Sequence, residues 1–181
     1  MKNKVVILYS GGADSRLLLE FAKDLGNEIY CVLIDYEQLH SKELDVAKQT
    51  LDNLKISYQV VSIKGLDLKS ALTTGEKGLY ENISIYSVPN RNAIFLSLAC
   101  AVAESKGYEE VWHGADFSDL QHLFPDCYGQ FFVKYEELMK LSTYPKVKVR
   151  SPLLRFTKEV VLDILKNKRI SDIYSDRKSV V

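Results

Sequence analysis

The sequence predicts an α/β fold, a doubly wound parallel sheet of five strands with helices on both faces. Short apolar runs rich in β-branched residues alternate along the chain with segments whose apolar residues repeat at helical spacing. Parallel neighbours need crossover connections, usually helices, so this alternation indicates a parallel sheet. The chain has 181 residues, of which 46% are apolar. That is enough for one core, and we expect a single domain over residues 1–181.

The first strand and the first helix are the clearest elements. Residues 5–9 form an uninterrupted apolar run that ends at a pair of glycines, which is typical of a strand buried on both faces. The period then changes, and one helical face carries Leu17, Leu18, Phe21, Ala22 and Leu25. We expect Asp14 or Ser15 to cap this helix and Gly26 to end it.

The same alternation continues to residue 166. Further strands are predicted over residues 28–34, 58–63, 110–112 and 146–150. Further helices are predicted after Ser41 and over residues 94–103, 131–141 and 157–166. Between residues 63 and 89 the periodicity is weak, so we expect a partly helical excursion that borders the site. Residues 168–181 are polar without a clear period, and we interpret them as a C-terminal tail.

Charge and cysteine content argue against several classes of protein. The chain carries 24 Lys and Arg against 24 Asp and Glu, so it lacks the basic surplus of proteins that hold long nucleic acids. Its three cysteines are widely separated without a CxxC pair, which argues against a disulfide framework or a four-thiolate zinc site. No apolar run approaches the ~20 residues that span a bilayer, and the start leaves no room for a signal peptide. We expect a cytoplasmic protein with a small, charged ligand.

The loop after the first strand is the most informative segment, because ligands of doubly wound sheets bind at the carboxyl ends of the strands. Its sequence is Ser10-Gly11-Gly12-Ala13-Asp14-Ser15. Glycines let the backbone approach a phosphate closely, and the following helix offers unpaired N–H groups and a positive dipole end. We therefore predict that this loop binds phosphate.

Asp14 is the unusual residue of this loop. A carboxylate beside polyphosphate is repulsive unless a divalent cation bridges the two, so we infer Mg²⁺ at Asp14. The spacing is neither GxxxxGK[ST] nor GxGxxG. The alternative is a tight turn before a helix that Asp14 caps, with no ligand.

The string SGGADS at the end of the first strand resembles the SGGxDS signature of the PP-loop ATP pyrophosphatases. Those enzymes cleave ATP between the α and β phosphates and pass AMP to a substrate oxygen. The resemblance implies that residues 10–15 bind ATP, that Asp14 and Ser15 act in catalysis, and that Asp35, after the second strand, contacts the adenosine. Capping of a turn is the alternative for Asp35.

Further segments resemble the 7-cyano-7-deazaguanine synthases of the queuosine and archaeosine pathways. They are DYEQLH at 35–40, VPNRN at 88–92 with FLS at 95–97, DFS at 116–118 with FPDC at 124–127, and SPL at 151–153 with TK at 157–158. Together they cover nearly the whole chain in the family's order. The resemblance therefore concerns the whole domain and not the loop alone.

That family adenylates the carboxylate of 7-carboxy-7-deazaguanine, admits ammonia to form an amide, then adenylates the amide and expels AMP to leave a nitrile. The resemblance thus implies a ligase that uses ATP and Mg²⁺ and takes a deazaguanine base and ammonia as its small-molecule partners. A homodimer is compatible with the sequence, which does not fix the oligomeric state.

The resemblance also suggests roles for residues around the third helix and the fourth strand. Arg91 opens a helix, where a cation is unfavourable unless an anion is near, so we expect it to act in catalysis by holding a carboxylate or phosphate. We expect Asn92, Asp116 and Asp126 to bind the substrate, with the acids pairing with a guanine-like base or holding metal. A solvated acidic loop is the alternative, which we favour for Asp119.

Other candidates carry weaker signals. His40 and His113 follow strands, as a general base or a ligand contact would. Aromatic residues of the later loops could stack on a heterocycle, although such residues more often cover the core: Phe117, Phe124 and Tyr128. Cys127 matches a cysteine of the family, but the sequence offers no activating partner, and we assign it no nucleophilic role.

The sequence departs from the family in two respects. The family's C-terminal cluster of four zinc-binding cysteines has no counterpart after Cys127, so we expect no zinc site. Glu37 and Leu39 stand where the family has glycine and arginine, which leaves the acceptor open. Two alternatives therefore remain, a PP-loop enzyme that acts on another acceptor such as tRNA and a non-catalytic subunit that only binds a nucleotide.

Overall fold

The computed structural model describes residues 2–37, 42–65, 88–121, 125–144 and 146–173, and it contains the predicted parallel sheet of five strands. The strands are β1 (Lys4–Leu8), β2 (Glu28–Asp35), β3 (Ser57–Ser62), β4 (Glu110–Trp112) and β5 (Lys148–Arg150). They lie in the order β3-β2-β1-β4-β5, and all neighbours are parallel. The order reverses at β1, which pairs with both β2 and β4, so a ligand is expected where these strands end.

Helices cover both faces of the sheet, as predicted. Within the described ranges they are α1 (Ala13–Asp24), α2 (Lys42–Leu54), α3 (Arg91–Lys106), α4 (Phe117–Gln121), α5 (Gly129–Ser142) and α6 (Lys158–Asn167). One apolar cluster lies beneath α1, α2 and α6, and a second lies beneath α3 and α5. The sequence did not predict α4 or the 3₁₀ turn at Pro125–Cys127, because such short elements show no period.

Burial on both faces explains the continuous apolar runs of the central strands. In β1, Val5 and Ile7 belong to the first cluster and Val6 to the second. All three are fully buried, and each such side chain stabilises the fold by roughly 1.5–3 kcal/mol. The sheet is thus a well-packed base for the loops at its carboxyl edge.

The start of α1 differs from the prediction. Gly12 is the N-cap, and Asp14 and Ser15 lie inside the first turn without capping it. The expectation of a cap by Asp14 or Ser15 is therefore wrong, because the backbone already turns into the helix at the glycine pair. The helix ends as predicted, with Gly26 in the left-handed region at φ 68°.

Residues 168–173 follow α6 and pack on the protein. Ile170 and Ile173 contact the cluster beneath α1. Several predicted features lie outside the described residues: the excursion over residues 66–87, His40, Phe124 and residues 174–181. In the part of the chain that the structure describes, no helix is both long and apolar enough to cross a membrane.

Candidate active site

A cavity of about 340 Å³ lies at the carboxyl ends of β1, β2 and β4, next to the point where the strand order reverses. The first turns of α1 and α3 line it, so two positive helix ends are directed towards it. Seven of the residues proposed from the sequence occur along its wall, together with Cys127, to which we assigned no role: Ser10, Asp14, Ser15, Arg91, Asn92, His113 and Asp126. The fold therefore brings together groups that are far apart in the chain.

The loop over residues 10–15 is held by its own hydrogen bonds. The Ser15 hydroxyl accepts from the Ser10 N–H (3.2 Å) and donates to the Gly12 carbonyl (3.1 Å), while the Gly12 N–H donates to the Ser10 hydroxyl (3.3 Å). Gly11 has φ 83°, and a Cβ atom there would lie 3.1 Å from that of Ala47 on α2. Glycine is thus required at this position, and the loop has a fixed shape without a ligand.

The carboxyl group of Asp14 is strongly perturbed. Its Oδ2 lies 2.5 Å from Nζ of Lys158, while its Oδ1 is buried with no hydrogen-bond partner among the described residues. Burial raises the pKa of Asp14 to about 6; the Lys158 charge opposes this rise, and the neighbouring Asp116 adds to it. Asp14, whose side chain is 26% exposed, is therefore a partly buried acid that can accept a further cation.

Asp116 and Asp119 form a compact turn at the start of α4. Asp116 Oδ1 accepts from the N–H groups of Ser118 (2.8 Å) and Asp119 (3.2 Å), and Asp119 Oδ2 accepts from the Asp116 N–H (3.1 Å). Asp119 lines the cavity, and burial above all raises its pKa. The expectation that Asp119 is solvated is wrong, because the short helix α4 folds its carboxylate back over Asp116.

Lys158 is the site residue to which the sequence analysis gave no role. It opens α6, where its N–H donates to the Ser118 hydroxyl (3.1 Å), and its Nζ lies 3.9 Å from Asp116 Oδ2 in addition to its contact with Asp14. The TK pair at 157–158 carried part of the family resemblance, but a lysine at a predicted helix start is usually solvated. Asp14 lines the cavity, whereas Asp116 and Lys158 do not. Because Lys158 contacts both carboxylates, we call Asp14, Asp116 and Lys158 together the charged wall.

A second wall, which we call the neutral wall, consists of Asn92, His113 and Cys127. The Asn92 amide donates to Cys127 Sγ (3.1 Å) and to the Asp126 carbonyl (3.2 Å), and its Oδ1 accepts from His113 Nε2 (3.3 Å). His113 Nδ1 accepts from the Ala115 N–H (3.0 Å), which places the proton on Nε2. Burial lowers the pKa of His113 to about 4 and raises that of Cys127 to about 12.

These contacts bear on three predicted site residues. His113 cannot act as a general base in this tautomer, because the lone pair of Nδ1 is already used. Asp126 Oδ2 accepts from the Asn92 N–H (2.8 Å) and so caps α3, whose own N-cap residue Asn90 makes no side-chain cap bond. A substrate contact by Asn92 or Asp126 stays a prediction.

Asp35 and Arg91 differ in their relation to the cavity. Asp35 is not among the residues that line it, and its Oδ1 accepts from the Glu37 N–H (3.3 Å), which is the turn-capping alternative. Arg91 lines the cavity at the start of α3, and its charge adds to burial in keeping the pKa of His113 low. Arg91 is thus placed to bind an anion, while adenosine binding by Asp35 stays a prediction.

An aromatic surface lies elsewhere along the cavity. The rings of Tyr36 and Phe95 are 5.1 Å apart, and both residues line the cavity beside apolar residues of β2. Such a surface suits a flat heterocycle. Phe117 and Tyr128, two candidates from the sequence, are 41% and 40% exposed and do not line this cavity.

Solved structures share the fold. The U34-tRNA thiolase NcsA from Methanococcus maripaludis, determined with its [4Fe-4S] cluster, matches with a TM-score of 0.66 and 15% identity over 100% of this chain and 62% of that chain. An NH3-dependent NAD synthetase from Campylobacter jejuni matches with a TM-score of 0.58 and 19% identity over 94% of this chain and 65% of that chain. These likenesses confirm the predicted fold class.

Similar sequences identify the family. The 7-cyano-7-deazaguanine synthase 1 of Colwellia psychrerythraea is 39% identical over 170 residues, which are 90% of this chain and 78% of that protein. The 7-cyano-7-deazaguanine synthase of Pseudoalteromonas translucida is 38% identical over 173 residues, 91% of this chain and 78% of that protein. The family model described as "Queuosine biosynthesis protein QueC" matches residues 4–173. This chain therefore belongs to the QueC family of queuosine biosynthesis proteins.

Proposed function

We propose that this protein is a 7-cyano-7-deazaguanine synthase, which uses ATP to convert 7-carboxy-7-deazaguanine and ammonia to 7-cyano-7-deazaguanine. The observation that carries the proposal is the geometry of the loop at residues 10–15, which stands beside the charged wall in a chain of the QueC family. Its partners are then small molecules, and cytoplasmic location and a homodimer remain predictions from the sequence.

The loop and the first turn of α1 provide the groups that bind phosphate. The first turn of α1 lines the cavity through Asp14 and Ser15, and the positive end of the helix dipole there favours an anion. Gly114 stands opposite, and a Cβ atom at this position would lie 3.3 Å from the Ser15 nitrogen. A side chain at residue 114 would thus crowd the loop. The glycine at this position therefore allows the two backbone segments to lie close together, which supports a phosphate site built from backbone groups.

Asp14 fits the magnesium ion that accompanies ATP. Its Oδ1 is buried without a partner in the described part of the chain, and Mg²⁺ prefers carboxylate, phosphate and water oxygens. The described residues contain no group of three or more metal-binding side chains, so phosphate and water oxygens would complete the coordination. When bound, the ion would offset the repulsion between Asp14 and the phosphates and polarise the phosphate that is attacked.

The reaction needs two activations, because neither a carboxylate nor an amide oxygen leaves readily. A carboxylate oxygen attacks the α-phosphorus of ATP, and the bond to the β-phosphate oxygen breaks, so pyrophosphate leaves. Ammonia then attacks the carbonyl carbon, AMP leaves with its oxygen, and one proton is released. The amide oxygen attacks a second ATP in the same way, and the loss of AMP and two N–H protons leaves the nitrile.

Lys158 and Arg91 are the cations that we assign to this chemistry. Negative charge accumulates on the oxygens around the α-phosphorus during attack, and a fixed ammonium or guanidinium group lowers the energy of that state. Lys158 lies on the charged wall with Asp14, and Arg91 opens α3 at the cavity. A guanidinium can also hold the substrate carboxylate through two parallel hydrogen bonds.

The neutral wall supports direct attack by the substrate. Cys127 has a pKa raised to about 12 by burial, so it is a neutral thiol at pH 7, and its sulfur accepts a hydrogen bond from Asn92. A neutral thiol is a poor nucleophile. We therefore assign the attack on ATP to the oxygen of the substrate and not to a side chain of the enzyme.

Mass spectrometry of the product tests this function. Purified protein is incubated with ATP, Mg²⁺, 7-carboxy-7-deazaguanine and isotopically heavy ammonium, and we expect a nitrile that carries one heavy nitrogen. Omission of ATP or ammonium should abolish it. Turnover of ATP only when unmodified tRNA is added would favour the tRNA alternative. Tight ATP binding without turnover on any acceptor would favour a non-catalytic subunit.

A further inference from the structure

The segment that follows α6 is joined to α1 by two ion pairs of opposite polarity. Lys168 Nζ lies 2.6 Å from Asp24 Oδ2 at the end of α1, and Asp172 Oδ1 lies 3.1 Å from Arg16 Nε near its start. The chain therefore runs antiparallel to α1, back towards the phosphate loop. Because positive and negative charges alternate on both elements, the pairing fixes the direction and the register of the segment.

The two pairs differ in the burial of their cations, and the Asp172 side chain itself is 43% exposed. The Arg16 side chain is 4% exposed, and its guanidinium also contacts the Glu20 carboxylate. The side chains of Lys168 and Asp24 are 31% and 54% exposed. A buried cation needs partners, and a cation in the first turn of a helix opposes the helix dipole. An arginine at position 16 does not stabilise the helix by itself. Its two carboxylate partners, Glu20 and Asp172, offset the cost of burying its charge.

Arg16 is also in contact with the parts of α1 that form the site. Its N–H donates to the Gly12 carbonyl (2.9 Å), and it directly follows Ser15, whose hydroxyl holds the loop together. Its charge acts on Tyr9 of the cavity wall, where burial raises the pKa of the phenol and the Arg16 charge opposes that rise. The bond to Gly12 is a backbone bond, so a shift of the helix at Arg16 would move the loop, and a shift of the Arg16 charge would change the field at Tyr9.

We propose that Asp172 is a positioning residue for the nucleotide, which acts through Arg16 to hold the first turn of α1 in the orientation that the phosphates require. Asp172 itself does not line the cavity. Ile170 and Ile173 contact the core on either side of Asp172, and these contacts hold its carboxylate next to α1. The inference rests on the proposed function in one respect, namely that the phosphate ligand is ATP.

Two matched variants of the full chain test this role. In Asp172→Asn we expect the dissociation constant of ATP with Mg²⁺ to rise about tenfold, the lower end of the range found when supporting residues of metal sites are removed. Asp24→Asn breaks the exposed pair on the same two elements, and we expect a change of less than about twofold. Asp172→Glu keeps a carboxylate and should restore most of the affinity. Titration calorimetry well below the melting temperature measures all three.

Amide hydrogen exchange of the ligand-free protein gives a second measurement that is independent of ATP. We expect faster exchange over the first turn of α1 in Asp172→Asn than in the wild type, and no such change in Asp24→Asn. A variant that melts earlier but binds ATP as the wild type does would overturn the proposal, as would equal losses in both variants. If the wild type binds no ATP, the proposed function fails, and the exchange comparison alone decides on the positioning role.

Discussion

The charged and neutral walls of the cavity satisfy their polar groups in different ways. On the neutral wall, the Asn92 side chain bonds to Cys127, Asp126 and His113, so the buried donors and acceptors are paired within the protein. On the charged wall, Lys158 lies between two carboxylates, and one oxygen of Asp14 has no partner in the described ranges. The side chains of the neutral wall are therefore bonded to one another, whereas the charged wall keeps one unpartnered carboxylate oxygen.

We propose that this difference separates residues that shape the cavity from residues that act in it. A buried carboxylate with a raised pKa reduces the stability of the folded protein at neutral pH, and such strain is common at functional sites. A saturated neutral network contributes stability and fixes geometry. Substitutions on the charged wall should therefore affect activity more than stability, and substitutions on the neutral wall should do the opposite.

The largest expected effect is that of Asp14→Asn. We expect AMP formation to fall by at least about 10²–10³-fold, because the Mg²⁺ that we propose at this site would lose its carboxylate ligand. The melting temperature at pH 7.5 should stay at or above that of the wild type, because a buried charge is removed. Quantification of AMP together with thermal melts measures both. Wild-type AMP formation in this variant would remove Asp14 from the mechanism.

The substitution Lys158→Met should have the next largest effect on AMP formation. The loss of the cation next to Asp14 should slow AMP formation by about 10²-fold, since charge on the phosphate oxygens is no longer stabilised. Lys166 provides a matched control, because it is an exposed lysine of the same helix. Steady-state rates of Lys166→Met should lie close to those of the wild type. An equal loss in the two variants would show that helix charge in general, and not Lys158, is responsible.

Asn92→Ala is the corresponding change on the neutral wall. It leaves the donor of His113 and the Asp126 carbonyl without partners, and we expect the free energy of unfolding to fall by about 2–3 kcal/mol. Urea titration measures this. Asn27→Ala is the control, because the side-chain nitrogen of Asn27 is buried without a hydrogen bond among the described residues. If Asn92→Ala lost activity as completely as Asp14→Asn while keeping its stability, the distinction between the walls would be wrong.

The free energy of unfolding should change with pH in opposite directions for the two walls. The folded pKa of Asp14 is raised from 3.8 to about 6, so its contribution to stability is present below pH 3.8 and is lost as the pH rises through 6. That of His113 is lowered from 6.5 to about 4, so its contribution is present above pH 6.5 and is lost as the pH falls through 4. The two trends oppose each other in the wild type.

Two variants separate these trends. Relative to the wild type, the free energy of unfolding of Asp14→Asn should increase as the pH rises from 4 to 6. That of His113→Gln should increase, relative to the wild type, as the pH falls from 6.5 to 4. Each gain should be on the order of 1–3 kcal/mol by urea unfolding at several pH values. Parallel curves for all three proteins would contradict the assigned pKa directions.

Cys127→Ala should have the smallest effect. The thiol is neutral at pH 7 and serves as a hydrogen-bond acceptor for Asn92, so we expect a change in the rate of AMP formation of less than about threefold. Stability should fall by about 1 kcal/mol or less. A loss comparable with that of Asp14→Asn would make Cys127 a nucleophile and would require a covalent intermediate.

The sequence allowed much of the fold to be predicted, because strands buried on both faces and amphipathic helices have distinct periods. Strand β1 is an example, with both boundaries displaced by one residue from the prediction. Helix α1 is another, since Gly26 follows its end as expected. Helix α4 has five residues, too few for a period to appear. Local propensity also failed at the start of α1, where the glycine backbone replaced the expected side-chain cap.

The lining of the cavity was predictable where it comes from one short segment, as at Ser10, Asp14 and Ser15. The site was less predictable where distant segments meet. The contact between Lys158 and Asp14 joins residues 144 positions apart, and single-sequence patterns do not encode such pairs. For the same reason Asp126 could be proposed as a substrate ligand, whereas the fold uses one of its oxygens to cap α3.

The fate of the α-phosphate of ATP tests directly whether the loop and Asp14 promote attack at the α-phosphorus. ATP labelled at the α-phosphate is incubated with Mg²⁺, ammonium, 7-carboxy-7-deazaguanine and either the wild type or Asp14→Asn. We expect the wild type to convert the label to AMP only when the acceptor is present, and we expect no such conversion by Asp14→Asn. Label recovered in ADP, or AMP formed equally by both proteins, would contradict the assignment of the loop and Asp14 to attack at the α-phosphorus.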